Sequence, residues 1–355
     1  MVTKNSSQPD PDFWRGKRVA LTGHTGFKGA WMALLLKRLG ALVYGYALAP
    51  NTQPSLFEVA KVAQEIASHV DDIRDDYSLN RWMTSVQPEV VLHFAAQALV
   101  RESYRDPVGT MTSNFVGTLN LLEAIRHQAS VKTVVVVTTD KVYRNDESAK
   151  SFQEDDHLGG HDPYSASKAA CEILVDSYRK CFLSHIGLAT ARAGNVIGGG
   201  DWSKERLIPD AVRAWESGQV LEIRSPAAVR PWQHVLEPLC AYLILAQNMW
   251  SDIDLARAYN FGPAVTDAVS VKQVIELAQT AYGKGTVQFG GEQNGLHEAG
   301  LLHLNTQLVS EVLGLVPRWN LACAVEKTMA WYRAYGVGED ARSLCLRDIE
   351  AYLGA

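Results

Sequence analysis

The stretch Lys17-Arg18-Val19-Ala20-Leu21-Thr22-Gly23-His24-Thr25-Gly26-Phe27-Lys28-Gly29 decides the fold. Lys17 to Leu21 reads as a short buried strand, Thr22 to Gly29 as a glycine turn, and the apolar-periodic run Ala30 to Leu39 as a helix. That order is a dinucleotide-binding opening. Gly23 takes the tight turn, Gly26 lets backbone approach a pyrophosphate, Gly29 permits close helix packing, and the helix N-terminus favours negative charge. Thr25, Phe27 and Lys28 belong to the same cofactor loop, with Lys28 readable either as a phosphate contact or as a solvated cation.

Working outward, strand-like runs recur at Ala41 to Ala47, His69 to Ile73, Val90 to Ala96, Val134 to Thr138, Leu188 to Ala193 and Tyr259 to Phe261, separated by helical stretches. Such alternation predicts an α/β fold: a Rossmann doubly wound parallel sheet with a smaller C-terminal substrate-binding domain. The expected division is 12–195 plus 234–262 for the first and 196–233 plus 263–355 for the second. Ligands of such sheets sit outside the carboxyl ends of the strands. This puts Asp72 and Ile73 near the adenine, Ala95, Ala96 and Gln97 at the cofactor's middle, and Thr138 and Ala193 beside it. Asn114 reads as a helix cap or as a cofactor contact.

In folds of this kind an acid about twenty residues after the glycine turn grips the ribose hydroxyls. Here Tyr46, Ala47, Leu48 and Ala49 supply none, and no Arg or Lys follows before Lys61 to hold a ribose phosphate. The cofactor is therefore expected to be NAD rather than NADP, held without the usual anchor.

Asp162-Pro163 predicts a capped helix start, so Tyr164 and Lys168, four residues apart, share one face of its opening turns. A phenol with pKa near 10 is a useful base only if its anion is stabilised, and an adjacent ammonium and a positive nicotinamide both do so. Thr139 is placed to hydrogen-bond the same substrate hydroxyl. The neighbouring Asp140-Lys141 adds an acid/base couple that simple alcohol oxidation does not need. Asp140 is an adequate acid only if its pKa is raised, and Lys141 an adequate base only if its pKa falls from about 10 to about 7. Either order, or a pair sharing one proton, fits these residues.

Gly23-x-x-Gly26-x-x-Gly29, Asp72-Ile73, Asn114, Tyr164 and Lys168 resemble the extended short-chain dehydrogenase/reductase family, whose sugar-nucleotide members have nearly this chain length. Where its dTDP-glucose 4,6-dehydratases carry Thr-Asp-Glu, this sequence has Thr139-Asp140-Lys141. With Ala95-Ala96-Gln97, Arg192 to Trp202 and Arg230 to Val235, that change is similar to the dehydratases acting on CDP-D-glucose, over about Phe13 to Trp331. The resemblance implies an oxidation at C4 by NAD, loss of water across C5 and C6, and return of the hydride to C6. It further implies that Tyr164, Thr139 and Lys168 act at the C4 hydroxyl and Asp140 and Lys141 at C5 and C6. Asn195 and Arg230 then bind the diphosphate of CDP-D-glucose, with Arg101 and Arg206 as further substrate contacts, in a homodimer. Trp202 and Trp232 either stack on the base or pack internally. His297-Glu298 and Leu302-His303-Leu304 resemble the family's late substrate segment, although Asn305 stands where an aspartate is commoner. A C4 epimerase of the same fold, or a non-catalytic cofactor-binding protein, is the alternative; the first has no use for Asp140-Lys141, and intact Thr139, Tyr164 and Lys168 speak against the second.

Composition is consistent with this. At 355 residues and 47% hydrophobic content the chain can bury two lobes. A net charge of -5 without basic runs excludes a nucleic-acid binder, and no run approaches the ~18 apolar residues of a membrane span. The polar stretch Met1 to Asp12 is expected to be disordered rather than a signal peptide, and five scattered cysteines point to free thiols in a reducing cytosol. Asp155-Asp156-His157 with His161 has crude ligand spacing but reads as a solvated loop, so no metal is expected. Equilibrium dialysis of the purified protein should give an NAD affinity in the micromolar range and weaker binding of NADP; NAD retained at nanomolar affinity overturns the expectation of a weak ribose grip.

Overall fold

The structure, a computed structural model, describes residues 7–146, 150–264, 267–290 and 302–354. Seven strands form the central sheet: β1 (Arg18–Thr22), β2 (Leu42–Ala47), β3 (Ala67–Val70), β4 (Val90–His93), β5 (Thr133–Val137), β6 (Gly187–Ala193) and β7 (Ala258–Phe261). Their order is β7-β6-β5-β4-β1-β2-β3, and every neighbouring pair is parallel. The direction of winding reverses between β1 and β4, which opens the crevice where doubly wound sheets take ligands.

Apolar side chains alternate across this sheet. Val135 and Val137 join one hydrophobic cluster with Leu21, Leu92 and Ala191, while Val134 and Val136 join another with Ala20, Val91 and Leu188. A strand covered on both faces needs an apolar residue at every position, which is why β5 reads as an unbroken valine run. Beyond the sheet, the strand Asn195–Ile197 pairs with Val229–His234, and Val220–Ile223 pairs with Thr286–Phe289. The helix Ala341–Leu353 returns to pack on the helix Phe27–Arg38.

Two strands end earlier than the sequence suggests. The run Val90 to Ala96 leaves the sheet after His93: the Phe94 N–H is shared between the Thr22 carbonyl and Thr22 Oγ1, each at 3.1 Å, and the Ala95 N–H turns to Thr22 Oγ1 at 3.2 Å. The run His69 to Ile73 is strand only through Val70: Asp71 and Asp72 accept from Asp72 N and Arg74 N at 2.8 and 2.9 Å, local bonds that pull the backbone into a turn. The expected disorder through Asp12 fails from Asp10 onward, since Asp10 caps the helical turn Pro11–Trp14 and Trp14 is fully buried.

At the glycine turn Gly23 holds φ +76°, and a Cβ on Gly29 would lie 2.1 Å from the Gly23 carbonyl oxygen. Gly26 differs: it is the exposed N-cap of Phe27–Arg38, makes no side-chain cap, and a Cβ there would meet nothing nearer than 3.5 Å. The first-turn N–H groups are thus left without a side-chain acceptor and face the crevice. Gly29→Ala is expected to lower folding stability in urea by about 1–3 kcal/mol. Gly26→Ala is expected to stay within about 1 kcal/mol of wild type and to weaken dinucleotide binding instead; equal stability losses would contradict these distinct roles.

Candidate active site

β5 hands its chain to Thr138 and then to the tight helical turn Asp140–Val142, whose cap is Thr139. Across from it the helix Pro163–Cys181 begins as its sequence implies: Asp162 accepts from the Ser165 N–H at 2.9 Å and from its hydroxyl at 2.6 Å, with Pro163 in the first turn. Tyr164 and Lys168 are both buried. Lys168 Nζ donates to the carbonyl of Val137, the last residue of β5, at 3.0 Å. Burial lowers the Lys168 pKa, with Cys171 and Glu172 opposing. Burial also pushes the Tyr164 phenol up to about 12, against its hydrogen bond with Thr139 and the pull of Arg206.

The Asp-Lys couple divides between wall and cleft. Asp140 is fully buried and Lys141 retains 28% of its side-chain exposure. Asp140 Oδ1 accepts from the Thr139 hydroxyl at 2.9 Å and from Lys141 Nζ at 3.0 Å, while Oδ2 is buried with no partner.

A cleft of about 1490 Å³ opens along the carboxyl ends of the strands. Its lining includes Gly23, Thr25, Gly26, Phe27, Lys28 and Gly29, with Asp72, Ile73, Ala95, Ala96 and Gln97, and also Thr138, Thr139, Lys141, Tyr164, Lys168 and Ala193. Arg101, Asn195, Arg206 and Arg230 line the same cleft. Asp140 and Asn114 do not. Asn114 is fully buried one layer back, where its side chain accepts from Gln97 N at 2.8 Å and donates to Gln97 O and Ser167 Oγ at 3.0 and 2.8 Å. It sits in a π-helical turn, Thr112–Val116, a feature frequent at functional sites.

At the end of β2 the lining consists of Ala47, Leu48, Ala49 and Asn51, so no carboxylate stands there. Lys28 is half-buried in the same cleft as Tyr164, Lys168 and Lys141. Burial and then Arg206 push its pKa down to about 8, with Asp140 opposing and Lys168 and Lys141 adding. On the substrate side Arg206 pairs with Asp201 at 3.0 Å and Arg101 with Glu205 at 3.8 Å, carboxylates not foreseen as partners. Asp201 could have been found in the Gly-rich motif that ends at Trp202; Glu205, in a left-handed backbone conformation, gave no signal. Trp202 packs against Trp331, Tyr332 and Tyr335 rather than into the cleft, whereas Trp232 lines it.

Asp156, in the loop with crude ligand spacing, accepts from Lys150 and from Gln153 N at 2.5 and 2.8 Å. Among the described residues no cluster of three His, Cys, Asp or Glu side chains is placed to hold a metal. His297 and Glu298 lie outside the described residues. His303–Leu304 pairs with Ser151–Phe152, and the Asn305 side chain accepts from Gln307 N at 2.8 Å.

A family model described as GDP-mannose 4,6 dehydratase matches residues 21–309. The chain belongs to the GDP-mannose 4,6 dehydratase family. A curated CDP-glucose 4,6-dehydratase of Salmonella typhimurium is 42% identical, over 98% of this chain and 99% of that one. Among family-like solved structures, the UDP-glucose 4-epimerase of Thermotoga maritima with UDP-glucose superposes with TM-score 0.78 at 22% identity, covering 89% of this chain and 99% of that one. The dTDP-glucose 4,6-dehydratase of Bacillus anthracis in complex with NAD does so with TM-score 0.76 at 21% identity, covering 93% and 100%. These two show the shared fold.

The position of Lys28 gives a pH dependence. Its ammonium favours a bound anion, and in the free protein that charge is lost above about pH 8. Anion binding raises the pKa again, so binding takes up a proton and NAD affinity should fall between pH 8 and 9, by at most about tenfold. Calorimetry in buffers of different ionisation enthalpy measures the uptake, and Lys28→Met should abolish it; an unchanged proton uptake in the variant places the effect elsewhere.

Proposed function

We propose that the chain is an NAD-dependent sugar-nucleotide 4,6-dehydratase whose substrate is CDP-D-glucose and whose product is CDP-4-dehydro-6-deoxy-D-glucose. The observation that carries this reading is the Asp140-Lys141 couple in the wall of the same cleft as Tyr164 and Lys168. A C4 epimerase, which loses no water, has no task for that couple. The 42% identical relative named as a CDP-glucose 4,6-dehydratase supports the choice of nucleotide.

The residues present fit a dinucleotide: Gly26 puts no side chain before the uncapped helix N–H groups, and Gly23 with Thr25 to Gly29 lines the cleft. Gly23 to Gly29, Asp72, Ile73 and Ala95 to Gln97 would hold NAD, which when bound supplies the hydride acceptor for C4 and the hydride for C6. Tyr164 removes the C4 hydroxyl proton, with Thr139 hydrogen-bonding the same oxygen and Lys168 stabilising the phenolate. The C5 proton becomes acidic only once C4 is a ketone, so oxidation precedes elimination. Lys141, exposed to the cleft, meets the substrate, and Asp140 behind it shares its proton. The pair takes the C5 proton and gives one to the C6 hydroxyl, which leaves as water.

Asn195, Arg206, Arg230 and Arg101 bind the diphosphate side, guanidinium forks matching phosphate oxygens. The cofactor lies on 12–195 plus 234–262 and the sugar nucleotide on 196–233 plus 263–355. The exposed apolar residues Val108, Met111, Val116 and Ile173, on neighbouring helices, support a homodimer through that face. No described helix is long and apolar enough to cross a membrane, and we place the enzyme in the cytosol.

The test is incubation with CDP-, UDP-, dTDP- and GDP-hexoses, with and without added NAD, following product mass and reduced-cofactor absorbance. Loss of water from CDP-glucose without lasting cofactor reduction is expected, and Lys141→Met should slow it by about 10²–10⁴-fold. An isomer of unchanged mass means an epimerase, and a Lys141→Met enzyme with wild-type water release removes Lys141 from the chemistry.

A further inference from the structure

Behind the cleft wall lies a buried polar network that the reaction itself does not use. Glu172 is on the helix Pro163–Cys181, one turn beyond Lys168 and two beyond Tyr164, on the same face. Its Oε2 accepts from Arg192 at 2.8 Å and from the Thr190 hydroxyl at 2.6 Å, and its Oε1 accepts from the Thr138 hydroxyl at 2.5 Å. Arg192, near the end of β6, donates in turn to the Tyr143 hydroxyl and to the Glu154 carbonyl, each at 2.8 Å. Tyr143 donates to Asn260 Oδ1 at 2.6 Å. The side chains of Glu172 and Arg192 keep only 2% and 4% of their exposure.

Thr138 and Tyr143 bracket the segment Thr139–Val142 that carries the Asp-Lys couple. One end is tied to Glu172 and the other to Arg192, so a single ion pair clamps both ends of the turn to the helix that carries Tyr164 and Lys168. We propose that Glu172 and Arg192 are the positioning pair of the elimination step, holding Asp140-Lys141 in register with Tyr164 and Lys168. This rests on the reading of the protein as a 4,6-dehydratase.

The physical argument is one of cost and geometry. Burying two opposite charges costs several kcal/mol per ion before their attraction offsets it, and an apolar replacement is often as stable, so such a pair is weak support for folding alone. Two acid/base couples, however, must reach adjacent carbons of one sugar in sequence. A displacement near 1 Å can cost about 10²-fold in rate. Oxidation uses Tyr164, Thr139 and Lys168, whose places are also fixed by the Asp162 cap and the Val137 carbonyl. The far end of the turn, beyond Lys141, is held by the Tyr143 hydroxyl and by backbone bonds from Gly159 N to Val142 O at 2.7 Å and from Arg144 N to His157 O at 2.9 Å.

The experiment compares wild type with Tyr143→Phe and Glu172→Gln. Tyr143→Phe removes one hydroxyl and leaves the ion pair intact; Glu172→Gln removes the charge that Arg192 faces and is accompanied by a thermal-stability measurement. Amide hydrogen exchange of peptides spanning 137–144 is read without ligands, and single turnover of CDP-glucose with saturating NAD is followed by reduced-cofactor absorbance. In both variants the turn should exchange at least about tenfold faster, with the sheet core unchanged in Tyr143→Phe; kcat should fall about 10–100-fold, KM should stay within about threefold, and reduced cofactor should accumulate because oxidation outruns elimination. Wild-type exchange in the turn of both variants, or a rate loss with no accumulation, overturns the proposal. Should the wild-type protein bind NAD yet release no water from any sugar nucleotide, the dehydratase reading falls, while the exchange data still decide whether the pair holds the turn.

Discussion

A buried ammonium must find oxygen, and Lys168 finds it at the last carbonyl of β5. That one bond locks the helix Pro163–Cys181 to the sheet and thereby fixes Tyr164, one turn earlier, opposite the Thr139 turn that β5 itself delivers. The arrangement is opposed by desolvation, which works against the Lys168 charge, and is supported by Glu172 one turn further on. Cofactor loop, phenol and the Thr139 turn share a cleft because they all lie at the carboxyl ends of the parallel strands.

Electrostatics then separates the two couples in time. Burial raises the Tyr164 phenol to about 12 even with its Thr139 hydrogen bond and Arg206 drawing it down, which leaves it a poor base. A bound oxidised nicotinamide would add a positive charge that favours the anion further. On the proposed mechanism that charge would be lost once C4 is oxidised, and burial would keep the proton on Tyr164. Elimination would then need other groups, which is a physical reason for a second couple a few residues from Thr139.

The sequence made the repeating scaffold legible because its rules are local: valine runs at two-sided strands, glycines where φ is positive or a Cβ would clash, Asp-Pro before a helix. The missing acid at the end of β2 was readable in the same way, as an absence at a fixed spacing. What could not be read were side-chain partners far apart in the chain. Asn114 read as a helix cap or a cofactor contact, and its side chain is instead spent on Gln97 and Ser167 one layer behind the cleft lining. Trp202 offered a stacking ring and packs against Trp331 and Tyr335. Glu172, Arg192 and Tyr143 meet only after β5, β6 and the helix between them have assembled, and Glu172 sits at an ordinary helical spacing with nothing to mark it.

Two of the buried carboxylates beside this cleft are in opposite states, and the contrast carries meaning. Glu172 has both oxygens engaged by Thr138, Thr190 and Arg192. Asp140 has one oxygen engaged and the other bare, beside Gly194, whose missing side chain leaves that oxygen free of a 3.3 Å contact. A buried acceptor without a donor costs about 1–3 kcal/mol, and a turn free to relax would rotate to relieve it. The satisfied carboxylate is part of what prevents that rotation: with Thr138 and Tyr143 both tied down, Asp140 keeps one oxygen on Lys141 and the other open to a proton.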